Sequence, residues 1–246
     1  MNYLLDHDYK QIYLEALNLL PAAVRQEGIR MLEFGCGTGM NLLHLISVLK
    51  KEGINVQTAL GTDFSDVMIE AAKRERRHLL ETEDAPKIQF HAAKNETLLA
   101  DLSASTGIEK SILKSSFHFV FGINTIRYCH DAKTELDCAQ DIFDLLVPGG
   151  VCVAIDMNRR FPLFRSELKN WLRWNKRNEC YIPSLEEYVA PFVKIGFEII
   201  RTDNFCWIPH SAGPFLRDLM NGLSPLLSAV AKSRAMRCLV VARKPR

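Results

Sequence analysis

Three glycines in a G-x-G-x-G arrangement constrain the fold of this chain more than any other feature. Gly35, Gly37 and Gly39 follow a short apolar run that ends at Phe34. Residues 41–49 then carry apolar side chains at helical spacing. Glycine lets a backbone turn tightly and approach a ligand where any side chain would collide, and amides at a helix start attract polar or anionic groups. The stretch predicts a strand, a tight turn with a ligand site, and a helix.

Apolar strand patterns and helical patterns alternate along the rest of the chain. Predicted strands lie at 30–34, 56–62, 88–92, 116–124, 151–156, 197–202 and 237–243. The segment Leu146–Gly150, which contains Pro-Gly-Gly, is predicted to be a turn. Such alternation predicts an α/β fold with a doubly wound, largely parallel sheet covered by helices on both faces. Ligands in these sheets bind beyond the carboxyl ends of the strands, where the strand order reverses.

Two acidic residues point to a ligand at the glycine turn. Glu33 directly precedes the turn, and Asp63 ends the second predicted strand, at a spacing from which an acid can reach ribose hydroxyls. A dinucleotide-binding turn more often reads G-x-G-x-x-G, and a carboxylate beside the turn suits a cation better than a pyrophosphate. A plain turn without a ligand can use the same glycines, so the prediction of a ligand site depends on Glu33 and Asp63.

The order of these residues resembles the class I S-adenosylmethionine-dependent methyltransferases. The resemblance rests on Glu33-x-Gly-x-Gly-x-Gly, on the strand that ends in Asp63-Phe64-Ser65, and on a helix followed by Pro148–Gly150 and an apolar strand. It implies a Rossmann-like, seven-stranded sheet whose last strand is antiparallel, with S-adenosyl-L-methionine as cofactor and S-adenosyl-L-homocysteine as product. The implied cofactor-binding residues are Glu33, Gly35, Cys36, Gly37, Gly39, Asp63, Phe64, Met68, Lys94, Asn95 and Asn124.

The segment after the third strand departs from the family pattern. Many members carry there an aspartate that accepts a hydrogen bond from the adenine amino group, whereas this sequence has Lys94. Asn95 or a backbone carbonyl would have to replace it.

The segment after strand four lies, by resemblance, beside the transferable methyl group, and it contributes most of the acceptor-site candidates. An acceptor hydroxyl needs a base, whereas a thiol or free amine can react without one. The candidate bases are His130 and His210, and the candidate acceptor-binding residues are Arg127, Tyr128, Asp156 and Trp207. Arg127 would bind an acidic group, Tyr128 would form a wall, and Asp156 would orient a histidine or bind the acceptor.

Length and patterning fit one α/β domain over 1–246, which the resemblance identifies as a methyltransferase domain. An N-terminal helical segment, 1–29, precedes the core, and two aromatic-rich insertions, 157–182 and 207–235, are predicted to cap the acceptor site. Closed caps of this kind suit a small molecule better than a macromolecule. Residues 157–246 are basic, whereas 1–156 are acidic. The basic part would favour an anionic or carrier-bound acceptor or a membrane surface, or is simply solvated.

Composition narrows the class of protein further. No apolar run approaches the roughly 20 residues that span a bilayer, and the N-terminus has no basic region typical of a signal peptide. The seven cysteines form no C-x-x-C pair, so neither a metal site nor a disulfide framework is expected. A reducing, cytoplasmic location fits this cysteine usage.

The sequence therefore predicts a methyltransferase that acts on a small molecule, on oxygen in preference to nitrogen. The alternatives are a non-catalytic binding protein with the same fold, an RNA methyltransferase and a nicotinamide-dependent oxidoreductase. Nucleic acid is disfavoured because strand four is followed by Asn124-Thr125 rather than an N-P-P-Y motif, and because the net charge is only +2. Oligomeric state has no sequence signal.

Overall fold

The computed structural model describes residues 7–79, 88–131, 133–164, 181–208 and 214–246, apart from the side chains of 78, 79, 214–218 and 221. Seven strands run β1 Ile29–Phe34, β2 Val56–Asp63, β3 Ile88–Ala92, β4 Phe117–Ile123, β5 Leu146–Met157, β6 Glu198–Phe205 and β7 Arg237–Arg243. The described helices are α1 His7–Leu17, α2 Ala22–Glu27, α3 Met40–Lys51, α4 Asp66–Leu79, α5 Leu98–Thr106, α6 Lys110–Leu113, α7 Glu135–Leu145, α8 Leu185–Ile195 and α9 Pro214–Ala231. Short 3₁₀ turns cover 95–97, 126–129, 162–164 and 232–234.

All seven strands form one sheet in the order β3-β2-β1-β4-β5-β7-β6. Every neighbouring pair is parallel except the two pairs that contain β7. Along the chain, β2 and β3 are added on one side of β1, and β4 is then added on the other side. The strand order therefore reverses between β1 and β4. The predicted fold class is confirmed, including the antiparallel last strand. The reversal places the ends of β1 and β4 on either side of one crevice, where ligands of such sheets bind.

Two apolar layers enclose the sheet because successive residues of a strand point to opposite faces. In β1, Met31 joins the layer under α1, α3 and α4, whereas Leu32 joins the layer under α5, α7 and α8. β1 and β4, which have parallel neighbours on both sides, are almost wholly buried, as expected for parallel strands covered on both faces.

Two strand bounds differ from the predicted ones by more than one residue. β5 begins at Leu146, which pairs with Phe117, so the predicted Pro-Gly-Gly turn belongs to the strand. The strand is irregular there, because Leu146 pairs with Phe117 and the next pair is Val151 with Phe119. Gly149 has φ +79°, and its N–H donates at 2.9 Å to the carbonyl of Lys244, the residue that follows β7. β6 continues to Phe205, beyond the predicted end at 202, because β7 pairs with it over its whole length.

The carboxyl ends of β5 and β6 lead into the two longest connections of the chain, 158–184 and 206–236. β6 runs antiparallel to β7, which runs antiparallel to β5, so both connections leave the same edge of the sheet as the glycine turn. Helix α9 lies in the second connection, and Met220 and Leu227 on it pack against the core. Among the described residues, no helix is long and apolar enough to cross a membrane.

Candidate active site

The glycine turn connects β1 to α3 at the crevice. The backbone N–H of Cys36 donates to the Thr62 carbonyl at 2.7 Å, which ties the turn to the end of β2. Gly35 has φ +67°, and a Cβ there would lie 2.3 Å from Thr125 Cγ2. Gly37 has φ +54° and nothing within 4 Å of its Cβ position. The turn thus has the backbone conformation and the open side that a ligand cradle requires.

Asp63 fastens the turn to the end of β2. Its Oδ2 accepts a hydrogen bond from the Gly37 N–H at 2.9 Å, and its Oδ1 accepts one from the Ser65 N–H at 3.0 Å. Only 7% of the residue is exposed. A carboxylate oxygen has two acceptor positions, so both oxygens retain capacity for a ligand hydroxyl.

Glu33 lies beneath the turn and points to the start of α3, not into open space. Its two carboxyl oxygens accept hydrogen bonds from Asn41 Nδ2 at 3.3 Å and from the Leu42 N–H at 3.1 Å. Gly39 is the N-cap of α3 and has no side chain with which to cap it, so Glu33 supplies that acceptor from the strand. Burial raises the pKa of Glu33 to about 8, against the lowering effect of the two hydrogen bonds.

Cys36 is 5% exposed within the turn. Burial, together with the charges of Glu33 and Asp63, raises the pKa of its thiol well above the usual value. A protonated, buried thiol fills space beside the turn and is a poor nucleophile.

A set of exposed apolar side chains borders the crevice beyond β2. Phe64 is 76% exposed and Met68 is 42% exposed, although both are large and apolar. Across the crevice, Asn95 Nδ2 donates to the Thr125 carbonyl at 3.4 Å, while its Oδ1 is buried without a hydrogen-bond partner. The side chain of Lys94 is exposed, and only its backbone N–H is engaged, with Asp101 Oδ2 at 2.9 Å. Asn95, not Lys94, therefore presents a buried acceptor here.

The segment after β4 brings Arg127 and Asp156 together. Arg127 Nη1 lies 3.2 Å from Asp156 Oδ1, and the two side chains are 8% and 0% exposed. Desolvation raises the pKa of Asp156, and the neighbouring guanidinium opposes the rise. Arg127 Nη2 also donates to the Tyr128 hydroxyl at 3.0 Å. The two charges predicted to bind the acceptor are thus engaged with each other, whereas Tyr128 is 54% exposed.

His130 lies further along the same segment and has two defined contacts. Its Nδ1 is 2.5 Å from Glu135 Oε1, and its ring stacks on Tyr181 with centroids 3.4 Å apart. The Glu135 contact favours the tautomer with a proton on Nδ1, which leaves Nε2 as the acceptor. His210, the other predicted base, lies outside the described residues.

Trp207, a predicted acceptor-binding residue, lies in the core. It is 6% exposed, and its Nε1 donates to Ser228 Oγ on α9 at 2.9 Å. It therefore anchors α9 to the end of β6.

Sequence reasoning missed two residues that complete the crevice. Thr125 lies against the glycine turn, and Arg237, at the start of β7, donates from Nη1 to Asn124 Oδ1 at 2.5 Å. A single arginine before an apolar strand carries no local signal. The strand order places β7 two strands from β4, and from there the Arg237 side chain reaches Asn124 just beyond the end of β4.

The fold is that of the class I S-adenosylmethionine-dependent methyltransferases. The sequence matches the model of a family described as a methyltransferase domain over residues 5–202, and the chain belongs to that family. Its cofactor is accordingly S-adenosylmethionine.

Solved structures with the same fold share little sequence with this chain. An S-adenosylmethionine-dependent methyltransferase from Mesorhizobium loti aligns with TM-score 0.59 and 18% identity over 94% of this chain and 96% of its own. The [4+2]-cyclase SpnF aligns with TM-score 0.62 and 16% identity, over 96% and 81%. The CurJ carbon methyltransferase aligns with TM-score 0.58 and 16% identity, over 96% and 52%. At these identities the likeness concerns the fold alone. No curated protein matches the chain.

Proposed function

We propose that this protein transfers the methyl group of S-adenosylmethionine to a small-molecule acceptor, on oxygen in preference to nitrogen. The observation that carries the proposal is that the two longest connections, 158–184 and 206–236, both leave the edge of the sheet that holds the glycine turn. Segments of that length beside a cofactor crevice favour an enclosed acceptor over an open macromolecular surface.

The residues of the crevice fit the cofactor. Asp63 would hold the ribose hydroxyls, and Phe64 and Met68 would flank the adenine ring with otherwise exposed apolar surface. Asn95 Oδ1, buried without a partner, would accept a hydrogen bond from the adenine amino group. The open side of Gly37 would admit the amino-acid end of the cofactor, with Glu33 beneath it.

For methyl transfer, the protein mainly has to hold the acceptor atom in line with the sulfur–methyl bond of the cofactor and to exclude water. When bound, the cofactor supplies a methyl group that its sulfonium has already activated. Tyr128, exposed and hydrogen-bonded by Arg127, would contact the acceptor. His130 would take a proton on Nε2 from an acceptor hydroxyl, because Glu135 holds the proton of the imidazole on Nδ1.

The first experiment compares thermal unfolding with and without S-adenosylhomocysteine. Ligand at about 100 times its Kd adds about 2.7 kcal/mol, which raises Tm by several degrees in a chain of this size. We expect Asp63→Ala to abolish the shift and the matched control Asp66→Ala, three residues on and exposed, to retain it. A shift with NAD in place of S-adenosylhomocysteine would contradict the proposal.

Turnover is tested separately with a panel of hydroxylated, carboxylated and amine-bearing small molecules, by S-adenosylhomocysteine release. Release with a hydroxylated compound, reduced in His130→Gln, supports transfer to oxygen. The neighbour named as a cyclase makes a fold-related protein without methyl transfer the second candidate. Cofactor binding with no S-adenosylhomocysteine release from any compound of the panel, or from RNA added in a separate assay, would favour that candidate.

A further inference from the structure

The loop that follows β4, residues 124–127, is held from below by the next two strands of the sheet. Asn124 has φ +59°, a conformation that non-glycine residues rarely adopt. Its backbone N–H donates to the Ile155 carbonyl of β5 at 2.8 Å. A residue in this backbone region keeps it only where its surroundings impose it.

Arg237 supplies one of these restraints from β7. It is 3% exposed and pairs in register with Met157 on one side and Phe205 on the other. Its Nη1 donates to Asn124 Oδ1 at 2.5 Å, across 113 residues of sequence. A charged donor in a dry setting forms a stronger hydrogen bond than a neutral donor does.

Asp156 supplies a second restraint from β5. Its carboxylate accepts from the Arg127 side chain at 3.2 Å and from the Arg127 backbone N–H at 3.4 Å. The charge of Arg237 also acts on this carboxylate. Asp156 thus holds Arg127 and Arg237 holds Asn124, so the loop is fixed at both its first and its last residue.

The opposite side of the same loop forms a wall of the glycine turn. Thr125 Cγ2 occupies the space that a side chain on Gly35 would need, and the Thr125 carbonyl accepts from Asn95. A displacement of the loop would therefore disturb both the glycine turn and Asn95, the proposed acceptor for the adenine amino group.

We infer that Arg237 and Asp156 are positioning residues of the methyl-transfer site, which hold the β4 loop against the glycine turn. The inference rests on the proposed function of that crevice as the cofactor site. Neither side chain needs to touch the cofactor, since both act through Asn124 and Arg127.

The test measures the Kd of S-adenosylhomocysteine by calorimetry, together with Tm. Loss of one charged hydrogen bond in Arg237→Gln should raise Kd about tenfold or more. Arg237→Lys keeps the charge and should recover part of the affinity. The matched control is Arg243→Gln at the far end of β7, where the arginine pairs with Glu198 at 2.9 Å. It should lower Tm but leave Kd within about twofold.

A double-mutant cycle separates positioning from a general loss of stability. Asn124→Gly keeps the left-handed backbone accessible and removes the Oδ1 acceptor. If Arg237 acts through Asn124, the double variant binds no more weakly than Arg237→Gln alone. The inference would be overturned if the two single-variant losses of affinity multiply in the double variant. It would also be overturned if Arg237→Gln binds S-adenosylhomocysteine within twofold of the wild type. Should Arg237→Gln not fold, Asp156→Asn carries the same comparison of Kd with Tm. A wild-type protein that does not bind S-adenosylhomocysteine would instead refute the proposed site itself.

Discussion

At the scale of single residues, backbone conformation sets the shape of the cofactor turn. Gly35 combines a positive φ with a Cβ position only 2.3 Å from Thr125 Cγ2, whereas Gly53 has a similar φ of +70° and nothing within 4 Å. A comparison of alanine substitutions at Gly35 and Gly53 therefore separates the cost of backbone strain from the cost of steric collision.

We expect Gly35→Ala to lower the free energy of unfolding by about 2–5 kcal/mol, because strain and collision add. Gly53→Ala should cost about 1–2 kcal/mol, since only the strain applies. Urea denaturation measures both. Equal costs at the two sites would show that the turn yields to the added methyl group. We also expect Gly35→Ala to abolish S-adenosylhomocysteine binding, which calorimetry would detect.

Glu33 should make stability depend on pH. Its pKa rises on folding from 4.5 to about 8, so the folded state holds the proton more tightly than the unfolded state. The free energy of unfolding therefore falls as pH rises from about 4.5 to about 8, by at most about 1.4 kcal/mol per pH unit for one proton.

The measurement is urea denaturation across that range, with Glu33→Gln as the comparison. The amide cannot ionise, so the variant should lose this component of the slope. Asn41 Nδ2 and the Leu42 N–H bond to different carboxyl oxygens of Glu33, and glutamine has a single carbonyl oxygen, so only one of the two keeps its acceptor in the variant. That loss lowers stability by an amount that does not depend on pH, so it is the slope with pH, not the absolute stability, that tests the prediction. A variant with the slope of the wild type would assign the pH dependence to other groups.

At the scale of elements, the start of helix α8 is specified by residues that are neighbours in the sequence. The Ser184–Glu187 spacing predicts a capping box, and the structure confirms it. Glu187 N–H donates to Ser184 Oγ at 3.3 Å, and Ser184 N–H donates to Glu187 Oε2 at 2.7 Å. Both partners lie within one turn, so no distant contact is needed to specify them.

Ser184→Ala should destabilise the protein by about 0.5–2 kcal/mol, because the Glu187 N–H loses its acceptor. Chemical denaturation gives the value. Ser111→Ala is the control, because its hydroxyl makes only an exposed contact with Glu109, and it should change stability by less than about 0.5 kcal/mol. An effect of Ser184→Ala no larger than that would mean that water replaces the cap.

β5 shows the limit of local encoding at the same scale. Pro-Gly-Gly is a turn signal when read alone. In the structure these residues form an irregular start of β5, in which Gly149 has φ +79° and donates its N–H to the carbonyl of Lys244, just after β7. A local pattern could not predict this contact, because Lys244 lies near the other end of the chain.

At the scale of the whole molecule, α1 precedes the sheet in sequence but packs across its centre. Tyr13 on α1 is fully buried and makes edge contacts with Phe121 of β4 at 5.1 Å and Phe119 at 6.2 Å. The first helix is thus part of the core under the central strands.

Tyr13→Ala should cost about 3–5 kcal/mol, the usual range for emptying a buried aromatic site. The control, Gln11→Ala on the exposed side of α1, should remain within about 0.5 kcal/mol of the wild type. Thermal and urea unfolding measure both. A small loss in Tyr13→Ala would mean that α1 is dispensable to the core.

The sequence by itself determined the α/β class, the glycine turn, Asp63 at the end of β2 and the capped start of α8. Each depends on the φ preference, periodicity or hydrogen bonding of residues close together in the chain. Tertiary structure alone decided that Glu33 caps α3, that Arg127 and Asp156 pair, that Trp207 is buried and that Arg237 reaches Asn124. Strand order brings those partners together. That order is fixed by how two apolar layers close over the whole sheet, and no window of neighbouring residues contains it.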